Sequence, residues 1–173
     1  MRTPIPTARL SLRPWKIEDW ESLLQYANNR KVWLGLREIF PHPYTQKDAK
    51  WWVEHFGDDP RHFNFAIEFS REAIGGISLH LLEDVHQKTA DIGYWLGEAF
   101  WGQGLATEAV TALTQWGFAN LDLKRIQAGV YASNKASQRV MEKAGYEREA
   151  LLKQAIFKAG EIQDEIIYAK FPD

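Results

Sequence analysis

Cysteine is absent from the 173 residues, and methionine occurs only twice. The first absence removes disulfide frameworks, cysteine nucleophiles and thiolate metal sites together, and it fits a protein working in a reducing cytoplasm. Long apolar runs are missing too. No stretch approaches the about 18 apolar residues of a membrane span. The N-terminal MRTPIPTARLSL has no apolar core of the signal-peptide kind. A membrane partner and an export route are therefore not expected. Charge of one sign is also lacking: 21 Lys and Arg face 23 Asp and Glu for a net −2, so bulk charge offers nucleic acid no attraction. No His/Asp/Glu spacing suggests a metal, and His42 reads as a loop residue between two prolines. Repeats, linkers and low-complexity segments do not occur, and residues 1–173 read as one domain large enough to bury its own core.

What is present is aromatic and patterned. Eight tryptophans are many for this length and serve either an aromatic core or the wall of a ligand groove. Arg9 to Pro14 alternates and stops at proline, as a first strand does. Glu18 to Ala27 carries apolar residues at Trp20, Leu23, Leu24 and Ala27, one helical face. Val32 to Phe40 reads as irregular. Thr45 with Asp48 has capping-box spacing ahead of a helix bearing Ala49, Trp52, Val53 and Phe56, ended by Gly57-Asp58-Asp59-Pro60. Phe63 to Phe69 alternates strictly, and Ile74 to Leu82 returns as the second strand of a hairpin. Then come a strand at Ile92–Leu96, a helix from Thr107 to about Asn120, and a strand at Ile126–Tyr131. A helix at Asn134–Ala144 is closed by Gly145, and two last strands run over Tyr146–Leu152 and Glu165–Phe171. The order β α α β β β α β α β β implies an α/β (α+β) fold: a single mixed sheet with helices on both faces.

The stretch DIGYWLGEAFWGQGLATEAV, from Asp91 to Val110, concentrates the chemistry. A strand empties through Trp101-Gly102-Gln103-Gly104-Leu105-Ala106 into a helix N-terminus at Thr107. Unpaired backbone N–H groups and the positive end of the helix dipole make such a place an anion site. A P-loop needs Lys and Ser or Thr after its glycines, but Leu105 and Ala106 follow Gly104. A dinucleotide fingerprint needs a third spaced glycine, and Thr107 stands there. The helix after Ser133 is a second constellation. Asn134, Ser137 and Met141 share one face at helical spacing, with Asn134 placed to cap the helix or to meet a ligand.

Together, Leu10-Ser11-Leu12-Arg13-Pro14, the Gly-Tyr-Trp-Leu strand, the Trp-Gly-Gln-Gly-Leu-Ala-Thr-Glu-Ala turn, Asn134-x-x-Ser137 and Glu142-Lys143-x-Gly145-Tyr146 resemble the GCN5-related N-acetyltransferases (GNAT). The likeness is to the RimJ/RimL branch above all, which acetylates ribosomal-protein N-termini. It covers almost the whole chain and implies a mostly antiparallel sheet splayed at its centre, with acetyl-CoA in the opening. On that resemblance the pyrophosphate loop falls on Trp101 to Ala106. Backbone donors of Gly102, Gln103, Gly104, Leu105, Ala106 and Thr107 would hold the pyrophosphate, with Trp101 where many relatives carry Gln or Arg. Tyr94, Trp95 and Leu96 would pair with the pantetheine arm, and Asn134 would contact it.

The resemblance also sets expectations for catalysis. The tyrosine that many family members use as acid is here Met141, which has no proton to give. Ser137, one turn earlier, is the substitute, stabilising the thiolate rather than strongly protonating it. Asp91 and Glu68 are the candidate bases, acting directly or through water. A neutral primary amine, of a protein N-terminus or a small molecule, would attack the thioester without a covalent enzyme intermediate. Backbone N–H groups of the central strand would stabilise the oxyanion. The competing reading is a non-catalytic acyl-CoA-binding sensor or interaction protein of the same fold. The acceptor side is expected from the first two helices, Val32–Tyr44 and the Glu83–Lys88 hairpin. These carry Trp33, Arg37, Glu38, His42, Trp51, Trp52 and His55, a mixture without one sign of charge. Oligomeric state stays open, a homodimer among the options.

Overall fold

The patterned segments assemble into an eight-stranded sheet in the computed structural model, which describes residues 3–55 and 60–172. The chain begins with two short paired strands, β1 (Ile5–Pro6) and β2 (Ser11–Arg13), turned by Thr7 and Leu10. Helices α1 (Trp20–Ala27), α2 (Arg30–Leu34) and α3 (Gln46–His55) follow. Next come β3 (His62–Phe69), β4 (Glu72–Leu81) and β5 (Thr89–Leu96), then α4 (Leu105–Asn120). The chain closes with β6 (Arg125–Tyr131), α5 (Lys135–Lys143), β7 (Glu147–Lys158) and β8 (Glu161–Lys170). Strands stand in the order β1-β2-β3-β4-β5-β6-β8-β7, and β5 with β6 is the parallel pair among antiparallel neighbours.

That parallel pair is short. Thr89, Ala90 and Asp91 face Arg125, Ile126 and Gln127, and beyond them the strands part. The sheet is therefore splayed at its centre, as the resemblance implies. Period-2 alternation assigns each strand residue to a face. Phe65, Ile67, Ile77, Leu79, Ile92, Leu96, Ile126, Ala128 and Ile166 pack with Leu105, Val110, Leu113 and Met141 beneath α4 and α5. On the opposite face Leu23, Ala27, Tyr44 and Ala49 form a smaller core with Trp15, Trp52 and Trp95 beneath α1 and α3.

Some element boundaries differ from the sequence expectation, each for a local reason. Part of the segment read as irregular is α2. Asn29 caps it, its side chain accepting from the N–H groups of Lys31 and Val32, so a new helix opens two residues after α1 ends. Helix α4 starts at Leu105, not Thr107, because Gly104 is its cap in a left-handed conformation, φ 77°. The last hairpin is longer than expected. β7 runs to Lys158 and β8 starts at Glu161, with a register shift between Leu152 and Ile156 that absorbs the irregular Gln154. The capping box at Thr45 and Asp48 forms as expected. Phe56 and the stop over Gly57, Asp58 and Asp59 lie outside the described residues.

One buried ionic cluster ties the N-terminal strand to the α1 side. Arg13 donates two bonds to Asp19, at 2.7 and 2.9 Å, and a third to Glu68 on β3. Arg13 and Asp19 are both buried, so deleting Arg13 leaves the Asp19 carboxylate without its cation. Arg13→Ala is expected to lower stability by about 3–5 kcal/mol, the range for a broken buried pair, as read from urea unfolding followed by tryptophan fluorescence. Loss of less than about 1 kcal/mol, the value of a surface pair, would show that water replaces the guanidinium.

Candidate functional site

Where β6 turns away, residues 92–96 of β5 keep β4 on one side and no strand on the other. Their backbone groups on the open side need partners, and an extended ligand with amides can supply them as a further strand would. Tyr94, Trp95 and Leu96 lie on this edge. Ile77, Gly76 and Gly75 back them on β4.

The loop leaving this strand arrives at the helix in the geometry an anion requires. Gly102 and Gly104 both have left-handed backbones, φ 75° and 77°, which L side chains adopt only at a cost. No Cβ stands over the turn at either position, and the first N–H groups of α4, from Leu105, Ala106 and Thr107, have no intrahelical acceptor. Trp101 donates its indole N–H to the Leu96 carbonyl at 2.8 Å, which fixes the loop to the end of β5. Gln103 points its amide back to Ala99. Arg9 is a participant that the sequence did not single out. It pairs with Glu108 in the first turn of α4 and donates to the Gln103 carbonyl at 3.0 Å. Burial raises the Glu108 carboxyl, while bonds from Thr7 and Arg9 lower it, for a net downward shift. The carboxylate therefore stays ionised and is paired with the Arg9 guanidinium.

On the α4–α5 face, Tyr94 reaches Ser137. The two hydroxyl oxygens are 2.7 Å apart. Burial pushes the Tyr94 phenol up to about 12 against a smaller downward pull from the Ser137 bond, so it keeps its proton at neutral pH. When Tyr94 donates to Ser137 Oγ, the serine O–H is free to point elsewhere, polarised by the bond it accepts. Asn134 caps α5 by accepting from the Ser137 N–H at 3.0 Å, which fixes the backbone that carries the serine. Its amide nitrogen faces Gly35, where a Cβ would come within 3.0 Å. Met141 is fully buried in the core. The phenol at this site thus comes from β5, not from the helix, and the tyrosine–serine spacing in sequence gave no cue to it.

The carboxylates named as bases go to different places. Glu68 is engaged by Arg13, with Lys16 nearby, two strands away from β5. Asp91 stands at the last paired position before the strands part and accepts from Gln127 Nε2 at 2.9 Å. Gln127 accepts in turn from Arg125, which Glu149 holds. By strand parity Asp91 lies on the α1–α3 face, opposite the Tyr94–Ser137 pair. On that same face the structure gathers Tyr131 of β6 and Glu165 of β8, directly paired in register. Arg37, after α2, is close enough to pull on both of their ionisations.

The roof of this side is joined across the chain. Lys158 lies 3.5 Å over the Trp33 ring and 3.5 Å from Glu38, and Trp33 stacks on His42. Burial pulls the Lys158 ammonium below its usual value, with Glu38 opposing. Trp51 and His55 stack on each other on α3, with Trp51 exposed.

Comparison with known proteins agrees with this architecture. The family model described as an acetyltransferase (GNAT) domain matches residues 9–147. An uncharacterized N-acetyltransferase of Bacillus subtilis, YnaD, is 32% identical over 166 residues, covering 95% of each chain. The ribosomal-protein-serine acetyltransferase of Escherichia coli is 36% identical over 109 residues, 63% of this chain and 60% of that one. A solved structure of RimL, a ribosomal L7/L12 alpha-N-protein acetyltransferase in complex with coenzyme A, superposes with a TM-score of 0.86 at 26% identity over 98% of each chain. The chain belongs to the GNAT acetyltransferase family and is an N-acetyltransferase, similar to the RimJ/RimL branch.

Gly104 offers a direct check on the loop. Gly104→Ala forces an L side chain into the left-handed cap and is expected to cost about 1–2 kcal/mol in thermal unfolding. It should also weaken coenzyme A binding in calorimetric titration. Unchanged affinity would show that the backbone N–H groups of this turn do not hold the pyrophosphate.

Proposed function

We propose that the protein moves the acetyl group of acetyl-CoA onto a primary amine by direct attack in a ternary complex, in the cytoplasm, with a protein N-terminus as the acceptor. The observation that carries this reading is the placement of the Tyr94–Ser137 pair beside the open edge of β5, downstream of which the glycine turn leads into α4. The residues present fit acetyl-CoA. The β5 edge can pair with pantetheine amides, and the N–H groups from Gly102 to Thr107 suit a pyrophosphate. When bound, acetyl-CoA supplies an activated thioester carbonyl. The names of the RimL-type relatives support the acceptor class.

The chain's own contribution divides by face. β5 aligns the cofactor arm and offers backbone N–H donors near the carbonyl, positioning that can itself provide much of the rate. Ser137, polarised by Tyr94, offers its O–H to the departing sulfur on the α4–α5 face. The amine enters from the α1–α3 face, between the Val32–Tyr44 segment and the sheet.

Ser137→Ala is expected to lower kcat about tenfold or more, with the acetyl-CoA Kd held within about twofold, the pattern of an interaction made mainly in the transition state. Thiol release with a serine-initiated peptide, beside calorimetry, measures both quantities. An unchanged kcat would remove Ser137 from the mechanism.

A further inference from the structure

The mechanism leaves a carboxylate of the opening without work. Glu165 stands on β8 opposite Tyr131 and folds its carboxylate over the backbone of β6 at Gly129. A Cβ on Gly129 would lie 2.1 Å from Glu165 Oε1, so the glycine is what lets the carboxylate occupy this position. Gly129 sits two residues beyond Gln127, the last residue that β6 pairs with β5. The carboxylate is therefore at the edge of the opening, on the acceptor face. Among the described residues it accepts no hydrogen bond and forms no ion pair. This differs from Asp91, bonded to Gln127, and from Glu68, bonded to Arg13.

We infer that Glu165 receives the acceptor's primary ammonium at the mouth of the β5–β6 opening and removes its proton, with Asp91 adding negative charge behind it. This inference rests on the acetyl-transfer reading and names the base and charge class of that same site. A half-buried carboxylate with unused acceptor capacity over a glycine-cleared floor is a receptor for a cationic donor group. Burial pushes the Glu165 carboxyl up, Arg37 pulls it back and Asp91 pushes it further, for a net rise above its ordinary value. Tyr131 on β6 and Glu38 beside Arg37 are further ionisable groups near this position, with Lys158 of β7 against Glu38.

The proton and electron count closes. The acceptor arrives as R–NH3+, and Glu165 takes one proton to leave the neutral amine. The nitrogen lone pair forms the N–C bond as the C–S bond breaks, and the bonding pair leaves on sulfur. The second proton lost from nitrogen ends on that sulfur, by way of the Ser137 hydroxyl or water, and Glu165 returns its own proton to solvent. Base and leaving-group partner thus work from opposite faces of one sheet.

Two readouts test this. The first is kcat/KM for a serine-initiated peptide and for a linear polyamine across pH 5–9. The second is calorimetric binding of the same amines to the coenzyme A complex. For Glu165→Gln we expect kcat/KM at neutral pH to fall about 100-fold, the low end of general-base catalysis. Its acidic limb should flatten, amine affinity should drop about tenfold, and coenzyme A affinity should stay unchanged. Glu165→Asp should restore part of the rate, and Gly129→Ala, which displaces the carboxylate, should resemble Glu165→Gln. Turnover and pH profile retained in Glu165→Gln would overturn the inference while leaving the acetyl-transfer reading intact. Glu165-dependent amine binding without thiol release would uphold the acceptor position and overturn the acetyl-transfer reading. Absence of both binding and release in the wild type would overturn both.

Discussion

The structure depends on how little β5 and β6 share. Three residue pairs, Thr89 to Asp91 against Arg125 to Gln127, hold the two halves of the sheet together before the strands part. A longer parallel ladder would satisfy the backbone internally and leave no place for a ligand. A shorter one would leave β6, β7 and β8 attached to the rest chiefly through the packing of α4 and α5. The cost of unpaired strand backbone beyond Asp91 is what an extended amide ligand removes when it fills the opening.

Because the opening lies inside a sheet, it has two sides, and period-2 alternation decides what each side receives. Tyr94 points to the α4–α5 side, where Ser137 meets it. Asp91 and Glu165 point to the other, where α2 and the segment after it bring Arg37 and Glu38. A one-residue slip of β5 would exchange these assignments and bury Asp91 in the core with Ile92 exposed. Register is defended accordingly. Gln127 ties Asp91 to β6, Arg125 and Glu149 extend that tie, and Ile92, Leu96 and Ile126 anchor the opposite face in the main core.

Much of this was legible in the order of residues. The alternation at Phe63–Phe69, the glycines ahead of α4, the Thr45 capping box and the Asn134 cap are all local features, set by neighbours within a few positions. They emerge at or near their expected bounds. Helix α2 is the exception within the Val32–Phe40 segment, because its five residues are too few to show a period and its Asn29 cap is as common in turns as at helix starts. The contacts that shape the proposed acceptor side carry no such signal. Glu165 meets Gly129 across a strand pair, Lys158 reaches Trp33 from a distant hairpin, and Tyr94 finds Ser137 through the packing of α5 on β5. Parity along each strand was readable, but which strands become neighbours is settled by burial over the whole chain.

The same reasoning explains why methionine at position 141 does not make the site empty. A tyrosine there would carry its phenol on α5. Here the corresponding volume is core, with Met141 fully buried beside Tyr146, which bonds Thr114 at 2.6 Å. On the acetyl-transfer reading proposed above, the hydroxyl for the thiolate comes one turn earlier, from Ser137, and the phenol that polarises it comes from the sheet. A serine alone is a poor acid. One that accepts from a phenol raised to about 12 is a better donor than its own chemistry provides, and its orientation is fixed by the Asn134 cap and by Tyr94 together. Orientation matters more than acidity for a thiolate, which is a stable leaving group and needs a hydrogen bond rather than full proton transfer as the C–S bond breaks. The harder step is to strip an ammonium at neutral pH. On the inference drawn above, that demand falls on Glu165, on the opposite face.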